Sequence, residues 1–200
     1  MFTCLDFRGV GLLALQYALT QPKCLASLVI ASGLASIPLW IIEIAHLINQ
    51  LPIEVQQTIQ MHEAAGTTDS LEYRSACRTF YQRYMGPFID PTPEWFEKAF
   101  ETGINQEVTN TLYGPEEFVI TGRLKDWDIT SQLGKIGGPV LLLSGRHDIV
   151  TFATLEPVQR AISGCEWVIF ENSAHYAYID EAERFFQVLG QFLSRVESRE

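Results

Sequence analysis

Short apolar runs alternate with helical periodicity near both ends of the 200-residue chain. Three of the runs are typical of strands that are buried on both faces of a parallel sheet: residues 25–31, 139–143 and 167–170. Apolar positions at helical spacing predict three helices around these strands: residues 11–20, 151–162 and 180–196. This alternation predicts an α/β fold built on a parallel sheet.

The middle of the chain has a different pattern. Residues 38–112 are helical by periodicity, are punctuated by Pro and Gly, and include no convincing strand. Because this helical block lies in the chain between two strands of one sheet, we expect it to form a lid. The predicted domains are a core formed by residues 1–37 and 124–200, and a helical lid or cap insertion formed by residues 38–123.

Polar residues predict where two of the helices begin. Asp180 is a candidate N-cap for the last helix, and Asp69 with Glu72 is a candidate capping pair for a helix that carries Tyr73. An N-cap side chain accepts a hydrogen bond from a backbone N–H group that the first helical turn leaves free. We therefore expect these two helices to start at Asp180 and at Asp69.

The charge balance argues against nucleic acid as a partner. The chain has 14 Lys and Arg residues against 24 Asp and Glu residues, which gives a net charge of −10. Dispersed acidic side chains repel a phosphate backbone over most of the surface. We expect no nucleic-acid partner.

The cysteines and the longest uncharged run bear on the compartment. The four cysteines form no Cys-x-x-Cys pair and lie in or beside apolar runs, so we expect reduced, buried thiols. Residues 24–42 carry no charge, but three serines, Gly33 and Pro38 interrupt them, so a strand fits better than a membrane helix. No basic segment precedes an apolar stretch at the N-terminus. We expect a cytoplasmic protein with no membrane partner.

Two residues point to catalytic chemistry. Asp148 and His175 each come just after a predicted parallel strand, at the sheet edge where open α/β folds place ligands and catalytic groups. An Asp at this edge can orient a His and stabilise its cationic form, as in a nucleophilic triad. Alone, each residue has an ordinary alternative, a helix cap for Asp148 and a solvated loop residue for His175. His147 is a competing histidine, whereas His46 and His62 fall within helical patterns.

Several motifs give the chain a family resemblance. The chain resembles the proline iminopeptidase family of α/β-hydrolases, which are serine aminopeptidases, through three segments: LLALQYAL at 12–19, YGPEEF at 113–118 and TGRLKDWD at 121–128. The Asp148 and His175 loops match as well. The resemblance implies a partial α/β-hydrolase fold with an inserted helical lid, removal of N-terminal residues from short peptides, Asp148 and His175 as catalytic residues, no cofactor and no metal.

One part of the family pattern is missing. The family places its nucleophilic serine on a Gly-x-Ser-x-Gly elbow before the 12–19 helix, and this chain has no such elbow. The matching position falls near Arg8, which cannot attack a carbonyl. Residues 6–11 instead resemble an Asp-x-Arg-Gly-x-Gly turn that follows an earlier strand. We expect that the nucleophile strand is omitted and that the chain is a truncated or alternatively spliced product that is catalytically impaired.

The resemblance also implies how a peptide binds. Glu117 matches the lid acid that holds the peptide ammonium group in the family, so the expected partner is a short peptide with a free N-terminus. Ile149 stands where the family often has a second acid, which leaves this recognition incomplete. Without the nucleophile strand, the outer edge of strand 25–31 is expected to be exposed and to favour self-association.

Two other functions stay open from the sequence. The chain could be a non-catalytic peptide-binding or regulatory module that keeps the lid and Glu117. It could also be an active hydrolase or esterase whose nucleophile is a less obvious serine, such as Ser32 or Ser173.

Overall fold

A parallel sheet of four strands forms the centre of the fold. The computed structural model describes residues 2–7, 11–86, 93–96, 98, 105–116 and 118–198. The strands lie side by side in chain order: β1 Phe2–Phe7, β2 Leu25–Ala31, β3 Val140–Gly145 and β4 Cys165–Phe170. Every neighbouring pair is parallel. The predicted α/β class and the three strands predicted from apolar runs are confirmed.

Helices connect the strands and cover both faces of the sheet. Eight of them, with one 3₁₀ helix, are described: α1 Gly11–Ala18, α2 Ile37–Ile48, α3 Ile53–Ala65, α4 Leu71–Tyr84, α5 Gln106–Leu112, the 3₁₀ helix Thr130–Lys135, α6 Phe152–Ala161, α7 Ala177–Asp180 and α8 Ala182–Glu197. The helices predicted at 11–20 and 151–162 are therefore confirmed as α1 and α6. The block between β2 and β3 is helical wherever it has regular structure among its described residues.

Alternate residues of the central strands pack into two separate hydrophobic cores, one on each face of the sheet. Leu28 and Ile30 of β2 belong to a large cluster that includes residues of α1, α6 and the helical block. Val29 and Ala31 face the opposite side and pack with α8. A strand that is apolar on both sides needs such covering from both sides, which is why these runs lack polar alternation.

The first strand corrects one prediction. Residues Thr3 to Phe7 of β1 pair in parallel with Ser27 to Ala31 of β2, so the predicted unpaired outer edge of strand 25–31 is wrong. Six residues are enough for a strand of ordinary length, and this strand satisfies the backbone groups of β2 that would otherwise be unpaired. Among the described residues β1 is an edge strand, and it leaves Phe2 44% and Leu5 43% exposed.

Both predicted helix starts shift by one residue. Asp180 ends α7 instead of capping the long helix, and its carboxylate accepts a hydrogen bond from the N–H of Ala174 at 3.1 Å. α4 is capped by Ser70, whose hydroxyl oxygen accepts from the N–H of Tyr73 at 3.1 Å. Neighbouring Asp and Ser residues are comparable N-caps, so composition alone does not choose between Asp69 and Ser70.

The two segments that connect the helical block to the sheet are hydrogen-bonded to each other. The N–H of Ile37 donates to the carbonyl of Trp127, and the N–H of Ile129 donates to the carbonyl of Ala35, both at 2.9 Å. The Ser36 hydroxyl donates to Asp128 at 2.7 Å. The last residues of the TGRLKDWD segment therefore hold together the beginning and the end of the block.

Two further sequence expectations concern membranes and thiols. No helix among the described residues is both long and apolar enough to cross a membrane. All four cysteines are free thiols, but only Cys77 is fully buried and Cys24 is exposed, so the expectation of buried thiols holds only in part.

Candidate active site

The loops after β3 and β4 bring Asp148 and His175 together. The Nδ1 atom of His175 lies 2.8 Å from Oδ1 of Asp148, and the two side chains are 6% and 0% exposed. Because a carboxylate only accepts hydrogen bonds, this contact assigns the ring proton to Nδ1. The other ring nitrogen, Nε2, is then the atom that can accept a proton.

Asp148 is held by two further donors. Its Oδ1 atom also accepts from the N–H of Val150 at 2.9 Å, and its Oδ2 atom accepts from the hydroxyl of Ser32. Ser32 follows β2 directly and has a left-handed backbone with φ of 56°. This conformation is uncommon for a residue with a side chain. Three donors around one carboxylate fix its orientation toward His175.

Backbone hydrogen bonds tie the two loops to the end of α4. The N–H of Ile149 donates to the carbonyl of Tyr84 at 2.9 Å, and the N–H of His175 donates to the carbonyl of Met85 at 3.2 Å. The Trp40 indole N–H donates to the carbonyl of Ile149 at 3.2 Å. The loops are therefore anchored by the helical block as well as by the sheet.

A glycine permits the close approach of the two loops. A Cβ atom on Gly145, the last residue of β3, would lie 2.0 Å from the carbonyl oxygen of Ala174 and 2.5 Å from that of Ser173. Both distances are far inside van der Waals contact, so only glycine fits at this position. The segment Ser-Gly-x-x-Asp, which begins in the last two residues of β3, thus supplies both the glycine that lets the loops pack closely and the carboxylate of Asp148.

The hydroxyl groups of the two alternative serine nucleophiles both donate hydrogen bonds to carboxylates. Ser32 is 6% exposed and donates to Asp148, and Ser173 is 0% exposed and donates to Glu181 at 2.7 Å. A nucleophilic serine needs its hydroxyl within hydrogen-bonding reach of the base nitrogen and open to the substrate. Over the part of the chain that the structure describes, no hydroxyl or thiol group bonds to Nε2 of His175.

Other candidates from the sequence lie in different places. Arg8 and Glu117 lie outside the described residues. The backbone N–H of His147 donates to the carbonyl of Ser173 at 3.0 Å, and its side chain borders a cavity that His175 does not line. His46 is exposed beside Glu43, and His62 contacts the Thr67 hydroxyl at 2.7 Å. Neither His46 nor His62 joins the Asp148 pair.

Two cavities adjoin these loops. The larger, about 760 Å³, is bordered by α2, α4 and the start of α6, and includes Asp148 but not His175. Two of its charged groups have partners: Glu43 accepts from the hydroxyl of Thr151, and Arg146 forms a two-point ion pair with Glu171. The smaller cavity, about 320 Å³, lies against α4 and reaches Gly86, next to the carbonyl that binds the His175 backbone.

No group of three or more His, Cys, Asp or Glu side chains able to hold a metal ion occurs in the described ranges. What the site provides is a base with its orienting carboxylate.

Sequence reasoning missed the role of Ser32 and the smaller cavity. A serine directly after a buried strand is only a weak signal for the first, because the same position also fits a nucleophile. Two arginines at helical spacing in α4 could have indicated the second, because side chains four residues apart share a helix face.

Known proteins resemble this chain along nearly its whole length. No protein-family model matches it. A curated relative, the proline iminopeptidase of Saccharolobus solfataricus, is 35% identical over 94% of this chain, and the match spans 60% of that relative. The crystal structure of VinJ superposes with a TM-score of 0.89 at 36% identity, and that of a Mycobacterium smegmatis proline iminopeptidase with 0.87 at 32%. Each superposition covers 98% of this chain and 66% of the solved one.

Proposed function

Because the chain belongs to the proline iminopeptidase-like family of α/β-hydrolases, we propose that it keeps that family's base and carboxylate but is catalytically impaired as a serine aminopeptidase. The observation that carries the proposal is the contrast between two connections. Asp148 and His175 form an oriented base after β3 and β4, whereas the connection from β1 to α1 reads Arg8-Gly9-Val10 and contains no Ser, Thr or Cys. An oriented base without a nucleophile cannot form an acyl-enzyme.

The expected loss of activity is large. Removing the nucleophile of a triad lowers the rate by about 10⁶ and leaves a residual acceleration of roughly 10³ to 10⁴ over water, which comes from binding and oxyanion contacts. His175 could still act as a general base toward water, so any remaining hydrolysis should depend on it. We expect hydrolysis of N-terminal residues near the background rate.

The test combines a covalent probe with turnover. The purified chain is exposed to a fluorophosphonate, its intact mass is measured, and hydrolysis of a prolyl arylamide is followed in the same sample. The full-length S. solfataricus relative serves as the active control. We expect no adduct and no turnover. A single adduct, with turnover that is abolished by His175→Ala, would identify a serine nucleophile and refute the proposal.

A second candidate function is peptide binding without cleavage. Its support is the smaller cavity, which is lined by α4, Gly86 and Glu116. Residues 38–123 form the lid in this proposal. The hydrogen bond and the β-bridge between Ser36 and Asp128 support a lid boundary near residue 37. Glu117 would hold the peptide ammonium group, as the family resemblance implies. Saturable binding of a short peptide without turnover is the expected result.

Self-association is proposed through β1 in place of β2. Among the described residues β1 pairs on one side only, and its exposed Phe2 and Leu5 offer apolar side chains to another chain. Leu5→Lys should shift the protein toward a monomer in light scattering coupled to size exclusion, whereas Leu71→Lys, on an exposed residue of α4, should leave its mass unchanged. A monomeric parent protein at high concentration would contradict this part of the proposal.

A reducing, cytoplasmic location completes the proposal. It is supported by the four free thiols, one of which is exposed. An unaltered unfolding midpoint with and without a reductant is the expected outcome, since a structural disulfide would make the midpoint depend on reduction.

A further inference from the structure

Ser32 combines a strained backbone with a buried polar contact. It directly follows β2 and has a φ of 56°, which is uncommon for a residue that has a side chain. The residue is 6% exposed, and its hydroxyl donates to Oδ2 of Asp148. Residues in such conformations cost the fold free energy, and they cluster where function requires the geometry. The strain therefore points to a role for the hydroxyl.

The two oxygens of the Asp148 carboxylate have different partners. Oδ1 lies 2.8 Å from Nδ1 of His175 and 2.9 Å from the backbone nitrogen of Val150. For Oδ2 the described part of the chain supplies one donor, the Ser32 hydroxyl. Because the Asp148 side chain is 0% exposed, bulk water does not replace that donor. Ser32 is therefore the group that fixes the second oxygen.

Two donors on one oxygen leave the rotation of a carboxylate loosely defined. The torsion about the Cβ–Cγ bond of an aspartate is broad, unlike a torsion between two tetrahedral carbons. A donor on the second oxygen narrows this torsion and so sets the plane of the carboxylate. The hydrogen bond from Nδ1 of His175 is most favourable near that plane, along a lone pair of the oxygen. The Ser32 hydroxyl consequently affects how firmly the His175 ring is held.

The backbone of Ser32 holds its hydroxyl in place. The Ser32 N–H donates to the carbonyl of Leu143 at 2.9 Å, and the preceding residue, Ala31, pairs with Leu143 in the parallel register of β2 and β3. Asp148 lies in the loop that follows β3. The hydroxyl donor and the carboxylate are thus both anchored to the end of β3.

We propose that Ser32 is a positioning residue, whose hydroxyl sets the plane of the Asp148 carboxylate and thereby keeps the His175 proton on Nδ1 and Nε2 available as the base. This inference rests on the base and carboxylate of the proposed function, and it does not require turnover. It gives the strained serine a role that glycine cannot fill, although glycine adopts the same backbone without strain.

The test measures the exchange of the His175 Nδ1 proton with water by NMR on isotope-labelled protein, with His175→Gln to assign the signal. In Ser32→Ala we expect exchange to become about tenfold faster, as the loss of one hydrogen bond to a charged group implies. The indole N–H of Trp167, which donates to the Ser144 hydroxyl at 2.9 Å, is the internal reference. A general loss of stability speeds the exchange of both protons, whereas a loss of positioning speeds that of His175 alone.

Two further variants separate positioning from stability. Ser32→Gly removes the hydroxyl and the backbone strain together, so it should be more stable than Ser32→Ala in urea unfolding but show the same faster exchange of the His175 proton. Ser36→Ala is the matched control, because Ser36 is also 6% exposed and donates to an aspartate, Asp128, at 2.7 Å. It should leave the exchange rate of the His175 proton as it is in the parent protein.

The outcomes separate this inference from the proposed function. Unchanged exchange in Ser32→Ala and Ser32→Gly, or equal acceleration in Ser36→Ala, overturns the positioning role and leaves the proposed catalytic impairment standing. A parent protein with no protected Nδ1 proton overturns the oriented base and with it this inference. A fluorophosphonate adduct on another serine refutes the catalytic impairment alone, and an adduct on Ser32 itself overturns both.

Discussion

The hydrogen bonds around Asp148 give a stability prediction that does not depend on catalysis. Asp148→Asn preserves the shape of the side chain but replaces one acceptor oxygen by an NH₂ donor. The buried carboxylate accepts from the Ser32 hydroxyl, the Val150 N–H and Nδ1 of His175. The amide meets the same three donors with only one acceptor atom, so at least one contact becomes donor against donor unless its partner reorients.

The magnitude follows from those three contacts. A hydrogen bond to a charged group contributes about 1.5–3 kcal/mol and a neutral one about 0.5–1.5 kcal/mol, so three weakened bonds cost roughly 3 kcal/mol. The amide is easier to bury than a carboxylate, which returns part of this cost. We expect a net loss of about 2 kcal/mol in the free energy of unfolding, or about 6 °C in midpoint for a chain of this size. Asp148→Ala should cost more, about 4 kcal/mol, because it leaves buried donors without any acceptor.

Urea unfolding followed by tryptophan fluorescence measures both variants, with circular dichroism as a second probe for two-state behaviour. Asp69→Asn is the matched control, because that side chain is exposed and should change stability by less than about 0.5 kcal/mol. If Asp148→Asn is as stable as Asp69→Asn, the three contacts do not stabilise the fold and the reasoning fails.

Three further predictions test other contacts. Burial raises the pKa of Asp128, but hydrogen bonds from a serine hydroxyl and two groups of a threonine outweigh it and lower the pKa. The stabilising effect of the carboxylate is therefore present above about pH 4 and is lost as the pH falls through the lowered pKa. Asp128→Asn should lower the free energy of unfolding by at most about 1 kcal/mol at pH 7 and by less at pH 3 in urea titrations, and an equal cost at both pH values would contradict the assignment. Iodoacetamide at pH 7.5 should label exposed Cys24 well before Cys77, whose pKa is raised to about 12, and comparable labelling rates by peptide mass mapping would count against the buried thiol. Gly145→Ala should prevent normal folding, whereas Gly190→Ala, on an open face of α8, should raise the free energy of unfolding by about 0.5–1 kcal/mol; a stable Gly145→Ala protein would refute the loop packing.

Periodicity predicted most of the sheet, and the exception has a physical cause. Strands β2, β3 and β4 are apolar on both faces, and such runs stand out in a sequence. β1 is an edge strand interrupted by Asp6, so its pattern is weaker, and the family expectation assigned it to a different place in the sheet. Only the register with β2 shows that Phe2–Phe7 occupies the edge beside that strand.

The pairing of Asp148 with His175 was predictable because each follows a parallel strand. The hydrogen bond from Ser32 to Asp148 was not predictable. Ser32 lies 116 positions before Asp148 in the chain, and its hydroxyl reaches the carboxylate through a left-handed backbone turn. Nothing in the local sequence distinguishes this turn from one that exposes a nucleophile. The choice between these roles depends on tertiary structure, which brings the end of β2 beside the end of β3.

An ordered Asp148 and His175 pair is therefore weak evidence for catalysis. The carboxylate accepts three hydrogen bonds, and the N–H groups of Ile149 and His175 donate to the carbonyls of Tyr84 and Met85 at the end of α4. Substituting either residue would remove the buried hydrogen bond between the two side chains, so stability alone gives a reason to retain both. A nucleophile has no such structural role, since its hydroxyl must stay open to substrate. A chain that loses catalysis can thus lose the serine first and still display an intact base and carboxylate.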